Sequence, residues 1–188
     1  VTTVSITKTA SGATAGTAIL SKISLAAADF VNGVATITLY DTEAENVSVT
    51  ATDQRYTTAF GTSVPITFNP SAATKIVFTS SAQSLTVGTA SGAYTVQVQD
   101  QYNNLRSSDA LVLNLSSTAA TGKFDTSAGG AFNGTVTSIT TSGGVGTFYY
   151  KDTISGTPTL TAAYTGLTSA TQAQTVNPAT LTGTSVVP

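Results

Sequence analysis

The chain has 188 residues, a formal net charge of −2 and only 9% charged residues, against about 25% in typical soluble domains, while 40% are hydrophobic. Its seven Lys and Arg are scattered, so no basic surface dense enough to hold phosphates can form, which excludes DNA and RNA as partners. The absence of Cys and His removes disulfides, thiolate chemistry, the Ser-His-Asp triad and the commonest transition-metal ligand.

Taken in order, residues 1–9 alternate Val4 and Ile6 against Ser5 and Thr7 and predict a strand, followed by a loop over 11–16. Residues 18–25, anchored by Ile19, Ile23 and Leu25, predict a weaker strand; the Ala run also permits a helix over 19–30, but no cap precedes it. Gly33 opens a strand over 34–40, 41–46 is an acidic turn, 47–52 alternates again, and 63–68 is the last strand before Asn69-Pro70. Residues 75–78, 84–87 and 93–99 predict three further strands, the last setting Tyr94, Val96 and Val98 against Thr95, Gln97 and Gln99. That run closes at Asp100-Gln101-Tyr102-Asn103-Asn104, where Asp and Asn bond their own backbone and tolerate left-handed conformations. The expected core is Val34, Ile37, Leu39, Val47, Val49, Ile76, Phe78, Leu85, Tyr94, Val96, Val98, Leu111, Leu113, Leu115, Phe148 and Leu160.

An internal repeat organises the chain. Gly33-Val34-Ala35-Thr36 and Asp41-Thr42 recur as Gly144-Val145-Gly146-Thr147 and Asp152-Thr153, 111 positions on, and Thr50-Ala51 recurs as Thr161-Ala162. Asn69-Pro70 recurs as Asn177-Pro178, and each Asn-Pro marks a sheet end, since proline cannot donate to a ladder. The division is an incomplete domain over 1–70, a complete one over 71–178, and a segment 179–188 that reads as a strand or the start of a further copy. Residues 1–7 align with 112–116, so the first domain lacks the strands that correspond to 71–110. Three readings stand: a piece of a longer repeat protein, a subunit whose first domain is completed by a neighbour's strand, or a smaller sandwich in its own right. In the second, Thr180, Leu181, Thr182, Thr184, Val186 and Val187 are the strand-donor candidates.

The segments Lys75-Ile76-Val77-Phe78, Tyr94 to Asp100 with its Asn turn, LVLNLS at 111–116 and GVGTFYYKDT at 144–153 resemble the bacterial and archaeal immunoglobulin-like repeats of invasin and intimin type adhesins and S-layer proteins. The likeness covers 71–178 well and 1–70 in part, and Asn103-Asn104 stands where such repeats commonly have Gly-Asn. It implies an all-β chain of tandem immunoglobulin-like β-sandwiches, extracellular and at the cell surface. Such repeats serve as stalks, spacers, adhesins and polymer subunits alike, so the likeness specifies fold more than activity.

The composition agrees with that setting. Ser and Thr make up about a third of the residues, which suits strands with a polar, uncharged outer face. Met and Trp are absent as well as Cys and His, as expected of a polymer exposed to oxidants. No apolar run approaches the ~20 residues of a membrane span, and residue 1 falls within a strand pattern, so any export signal or anchor is expected outside these residues. No enzymatic reaction and no cofactor is implied. Asp41, Glu43 and Glu45 alternate and are weak calcium candidates, since the second copy has Asp152, Ile154 and Gly156 there and a solvated acidic turn is the common case. Asn46, Asn114 and Asn133 head Asn-x-Ser/Thr triplets and are glycosylation candidates, Asn114 pointing outward between Leu113 and Leu115. Tyr149, Tyr150 and Tyr164 are candidates for a sugar platform, with Tyr150 sharing a face with core Phe148. Lys75 and Asn177 sit where an amide crosslink would need a buried acid beside them.

The function expected is a structural subunit or repeat of an extracellular filament, stalk or S-layer, with copies of itself or neighbouring repeats as partners. The alternative is an adhesin or carbohydrate-binding module directed at surface glycans or host or cell receptors. That alternative requires an exposed aromatic or polar cluster at the sandwich ends.

Overall fold

The computed structural model describes residues 3–11 and 18–180, and divides the chain into two compact units, Val1–Ser71 and Ala72–Pro188. The structure is all-β, and among the described residues its one helical turn is a 3-10 segment at Ala27–Asp29. No helix among them is long and apolar enough to cross a membrane.

The first unit contains β1 (Val4–Ala10), β2 (Ile19–Leu20), β3 (Ser24–Leu25), β4 (Leu39–Tyr40), β5 (Asn46–Asp53), β6 (Phe60–Thr62) and β7 (Ile66–Thr67). One antiparallel sheet runs β3-β1-β5-β6, with β7 also on β5, and β2 and β4 form a separate two-stranded ribbon. Its buried apolar residues are Ile6, Ala18, Leu25 and Val47. The single weak strand expected over 18–25 is two dipeptide strands, because β2 turns to β4 and β3 to β1. The helix that the Ala run permits there does not form beyond the 3-10 turn, whose Asp29 accepts from Ala26 N at 2.9 Å and pairs with Lys22. The expected strand over 63–68 is shorter than read, at β7, and β6 was not anticipated.

Residues 34–40 depart most from expectation. Asn32 and Gly33, both at positive φ, make a tight hairpin in which Val31 and Val34 exchange backbone hydrogen bonds of 2.9 and 3.0 Å. Beyond it only β4 is laddered, and Val34, expected in the core, is 67% exposed. The residues are a strand by composition, but among the described residues none forms a ladder with 35–38.

The second unit is an immunoglobulin-like sandwich. It contains β8 (Ala73–Phe78), β9 (Ser84–Thr86), β10 (Tyr94–Asp100), β11 (Val112–Ser117), β12 (Lys123–Asp125), β13 (Ser138–Thr140), β14 (Val145–Lys151), β15 (Thr159–Ala163), β16 (Ala170–Ala173) and β17 (Thr175–Asn177). One sheet runs β12-β14-β10-β8 and the other β13-β11-β15-β16, while β9 leaves the first sheet to pair in parallel with β17. Every side chain on β10 obeys the alternation read from sequence: Tyr94, Val96, Val98 and Asp100 are buried and the residues between them half-buried. Rings from both edges of that sheet meet in the core. Phe148 stacks on Tyr94 at 5.5 Å and takes Phe78 and Phe124 edge-on at 6.1 and 5.7 Å, geometries that add to the burial of their area. The short strands β12 and β13 were not expected, since three residues hold too little periodicity to read.

Candidate functional site

The buried polar groups of the second unit are bound into its own framework. Gln174 interrupts the last strand between β16 and β17 with its side chain 2% exposed. Its Oε1 accepts from Gln83 N at 2.7 Å and from the Tyr94 hydroxyl at 2.8 Å, and its Nε2 donates to Gln172 Oε1 at 2.9 Å. Burial pushes the Tyr94 phenol up to about 12. At the other end of β14, the Tyr150 hydroxyl donates to Asp152 Oδ2 at 2.8 Å, and Asp152 Oδ1 accepts from Thr121 Oγ1 at 2.5 Å and Ile154 N at 3.1 Å. Burial raises the Asp152 carboxyl, yet the bonds from Thr121, Tyr150 and the Ile154 and Thr153 amides outweigh it and hold the group below its ordinary range. Burial also raises the Tyr150 phenol. Asp100, fully buried, accepts from the amides of Tyr102 and Asn104, each at 2.9 Å, and Asn103 adopts φ 74 in the turn so closed. These three clusters explain their residues as structural.

The sequence-derived candidates fall as follows. Asp41 Oδ1 accepts from Glu43 N at 3.0 Å in a turn, Glu45 is buried, and among the described residues no three His, Cys, Asp or Glu side chains gather where a metal ion could be held. Asn46, Asn114 and Asn133 are all exposed, Asn114 between buried Leu113 and Leu115. Asn133 Oδ1 accepts from the Thr135 amide at 3.1 Å and hydroxyl at 2.7 Å, which makes its triplet a compact turn. Tyr150 is fully buried, Tyr149 half-buried and Tyr164 38% exposed, so the three tyrosines form no common platform. Lys75 Nζ lies 2.5 Å from Asn103 Oδ1, whereas Asn177 Nδ2 binds Ser84 Oγ at 2.7 Å, so the amide-crosslink pair is not assembled. Thr180 is exposed and outside any strand, and Leu181, Thr182, Thr184, Val186 and Val187 lie outside the described residues.

The unexplained surface is in the first unit, and the repeat identifies it. The register Ile6 with Ala51 on β1 and β5 reproduces Leu115 with Ala162 on β11 and β15, and Leu20 with Leu39 reproduces Phe124 with Tyr150. Strands β3-β1-β5-β6 therefore correspond to β13-β11-β15-β16, and the β2–β4 ribbon to β12–β14. Among the described residues nothing in the first unit corresponds to β8, β9 or β10. The burial of matched residues records the difference. Leu113, Leu115, Phe124, Ile139, Phe148, Tyr150, Leu160 and Ala162 are all at most 7% exposed. Of their counterparts Val4, Ile6, Leu20, Leu25, Ile37, Leu39, Val49 and Ala51, only Ile6 and Leu25 are buried and the rest are half-buried. An open trough of about 490 Å³ beside Ile6 is lined by Thr7, Lys8, Ala18, Ile19, Leu20 and Ile23. Ile19, Ile23, Val31, Val34, Phe60 and Val64 are each more than half exposed in this unit. The repeat in the sequence raised the expectation of absent strands without saying which edge their absence would affect.

No known protein-family profile matches the chain, and no characterised protein matches it by sequence. Solved structures similar to it include a glycosyl hydrolase family 2 member from Bacteroides cellulosilyticus, at 11% identity and a TM-score of 0.49 over 76% of this chain and 18% of that one. Domains 1–6 of the surface layer protein SbsC align at 17% identity and a TM-score of 0.38, over 78% of this chain and 18% of that one. The D0-D1 domain of intimin aligns at 20% identity and a TM-score of 0.37, over 92% of this chain and 80% of that one. The chain thus spans about a fifth of the hydrolase chain.

Proposed function

We propose that this chain is a structural subunit or repeat of an extracellular cell-surface polymer, a filament, stalk or S-layer, which assembles through contacts between its β-sandwiches. The observation that carries this reading is the burial of the first unit: six of its eight residues matched to the core of the second unit stay partly exposed where their counterparts are buried. Exposed apolar surface together with an unpaired strand edge is a surface built for pairing or one prone to it. With 9% charged residues, the chain also has few of the edge charges by which monomeric sheet proteins refuse extra strands. The buried acids and phenols of the second unit are engaged in structural bonds, which leaves assembly as the property most in need of a role.

The test is negative-stain microscopy of the native material together with light scattering of the purified chain over a concentration series. Ordered filaments or sheets built from chains of this mass support the reading. A chain that stays monomeric at every concentration, from native material without ordered assemblies, refutes it.

A further inference from the structure

We propose that the open edge at residues 34–39 of the first unit is an acceptor, filled by residues 180–187 of a second copy of this chain as an added antiparallel strand. This rests on the assembly reading above and names its partner and its contact. The second unit supplies the template. There β14 is flanked on one side by β12 and on the other by β10, in the register Tyr94 with Phe148, Thr95 with Thr147, Val96 with Gly146 and Gln97 with Val145. Transferred through the repeat, an incoming strand lies opposite Ile37, Thr36, Ala35 and Val34. The side of this segment toward β2 is already engaged: Ser21 N donates to Thr38 O at 2.9 Å and Thr38 N to Ser21 Oγ at 2.9 Å. Among the described residues no ladder occupies the opposite side over 35–37.

The edge differs from its match at one crowded position, where the incoming strand must present a small residue. Gly146 has no room for a side chain, since a Cβ there would sit 2.7 Å from Ile139 Cδ1 and 3.3 Å from Val96 Cγ2 on the flanking strand. The matched position in the first unit is Ala35, half-buried, and among the described residues no strand there corresponds to β10. Residues 34–39, VATITL, carry no charge, so nothing electrostatic opposes a second chain.

The donor is chosen by length, composition and its place in the sequence. An edge of six residues spans about 20 Å and needs a strand of similar length. Residues 180–187, TLTGTSVV, are uncharged and include five β-branched residues, which favours a pleated ladder. They follow Asn177-Pro178 in sequence, after β17, the last strand among the described residues of the second unit. Main-chain hydrogen bonds then supply the pairing and Leu181 and Val187 the apolar contacts, in the manner of strand addition to an open sheet.

The experiment compares the full chain with one lacking residues 180–188, by light scattering and by amide hydrogen exchange at 34–39, and adds the synthetic peptide 179–188 to the shortened chain. The proposal expects the full chain to assemble with rising concentration and its 35–37 amides to slow by at least ~10-fold as it does so. The shortened chain, with unchanged circular dichroism, stays monomeric, and the peptide restores protection at 35–37. Assembly of the shortened chain to the same extent overturns the donor while leaving the polymer reading intact. Concentration-independent protection in a monomeric full chain overturns the second copy as its source. Failure of the full chain to assemble at all refutes the polymer reading itself.

Discussion

Replacing Gln174 with Leu separates the structural bonds of the second unit from its packing. Gln174 Oε1 is the acceptor for both Gln83 N, at 2.7 Å, and the Tyr94 hydroxyl, at 2.8 Å, and so ties β9, β10 and the last strand together. Leucine of similar size fills the space but leaves two donors in a site with little water. A buried donor left without a partner costs about 1–3 kcal/mol, so the substitution is expected to destabilise by about 2–5 kcal/mol. Tyr94→Phe alone removes one donor, leaves Gln174 still engaged and costs about 1 kcal/mol. In the double variant one of the two orphaned donors no longer exists, so the combined loss falls short of the sum by at least about 1 kcal/mol. Urea unfolding followed by tyrosine fluorescence measures this, the seven tyrosines being unobscured because the chain has no tryptophan. Two units predict two transitions, and the relevant one is that which Phe148→Ala also moves. Additive losses, or a Gln174→Leu cost below about 0.5 kcal/mol, would show that water or rearrangement satisfies these donors and would refute the reasoning.

Phe148→Ala, at a fully buried ring in contact with three others, is expected to cost about 3–5 kcal/mol. Ile37→Ala, at the matched half-buried position, costs well under the 2–5 kcal/mol of a fully buried aliphatic in dilute chain and more once copies assemble, by the same denaturation measured at two concentrations. The depressed Asp152 carboxyl contributes stability that is fully present above its ordinary value of 3.8 and is lost as pH falls through the lower folded-state value; Asp152→Asn is expected to flatten that acid limb in a pH series of unfolding midpoints. For Tyr94 the sign is opposite: its contribution is whole below about 10, the unfolded value, and declines as pH rises toward about 12, so Tyr94→Phe is expected to flatten the alkaline limb. At Gly144, φ 73 and a Cβ that would meet Arg106 O at 2.3 Å predict that Gly144→Ala destabilises the second unit, whereas Asn103→Gly, at φ 74, stays close to neutral apart from the lost Lys75 contact, both read by thermal unfolding.

What the amino-acid sequence determined by itself is the local and the repetitive. The alternation of Tyr94, Val96 and Val98 defined β10 and its inward face, because side chains on a strand have a period of two and one face must leave water. The Asp100 to Asn104 turn was legible for a similar reason, its bonds running between residues at most four apart. The repeat at 111 positions set the expectation that residues 1–70 hold no counterpart of 71–110. Tertiary structure decided the rest. Gln174, Phe124 and Ile139 entered the core through neighbours distant in sequence, which no local period encodes. Residues 34–40 have the composition of a strand, yet among the described residues only Leu39–Tyr40 are laddered, since a strand is completed by its partner's hydrogen bonds and not by its own side chains. The open edge is therefore a property of what stands beside the segment, and only the arrangement of β2, β4 and their matched strands could locate it.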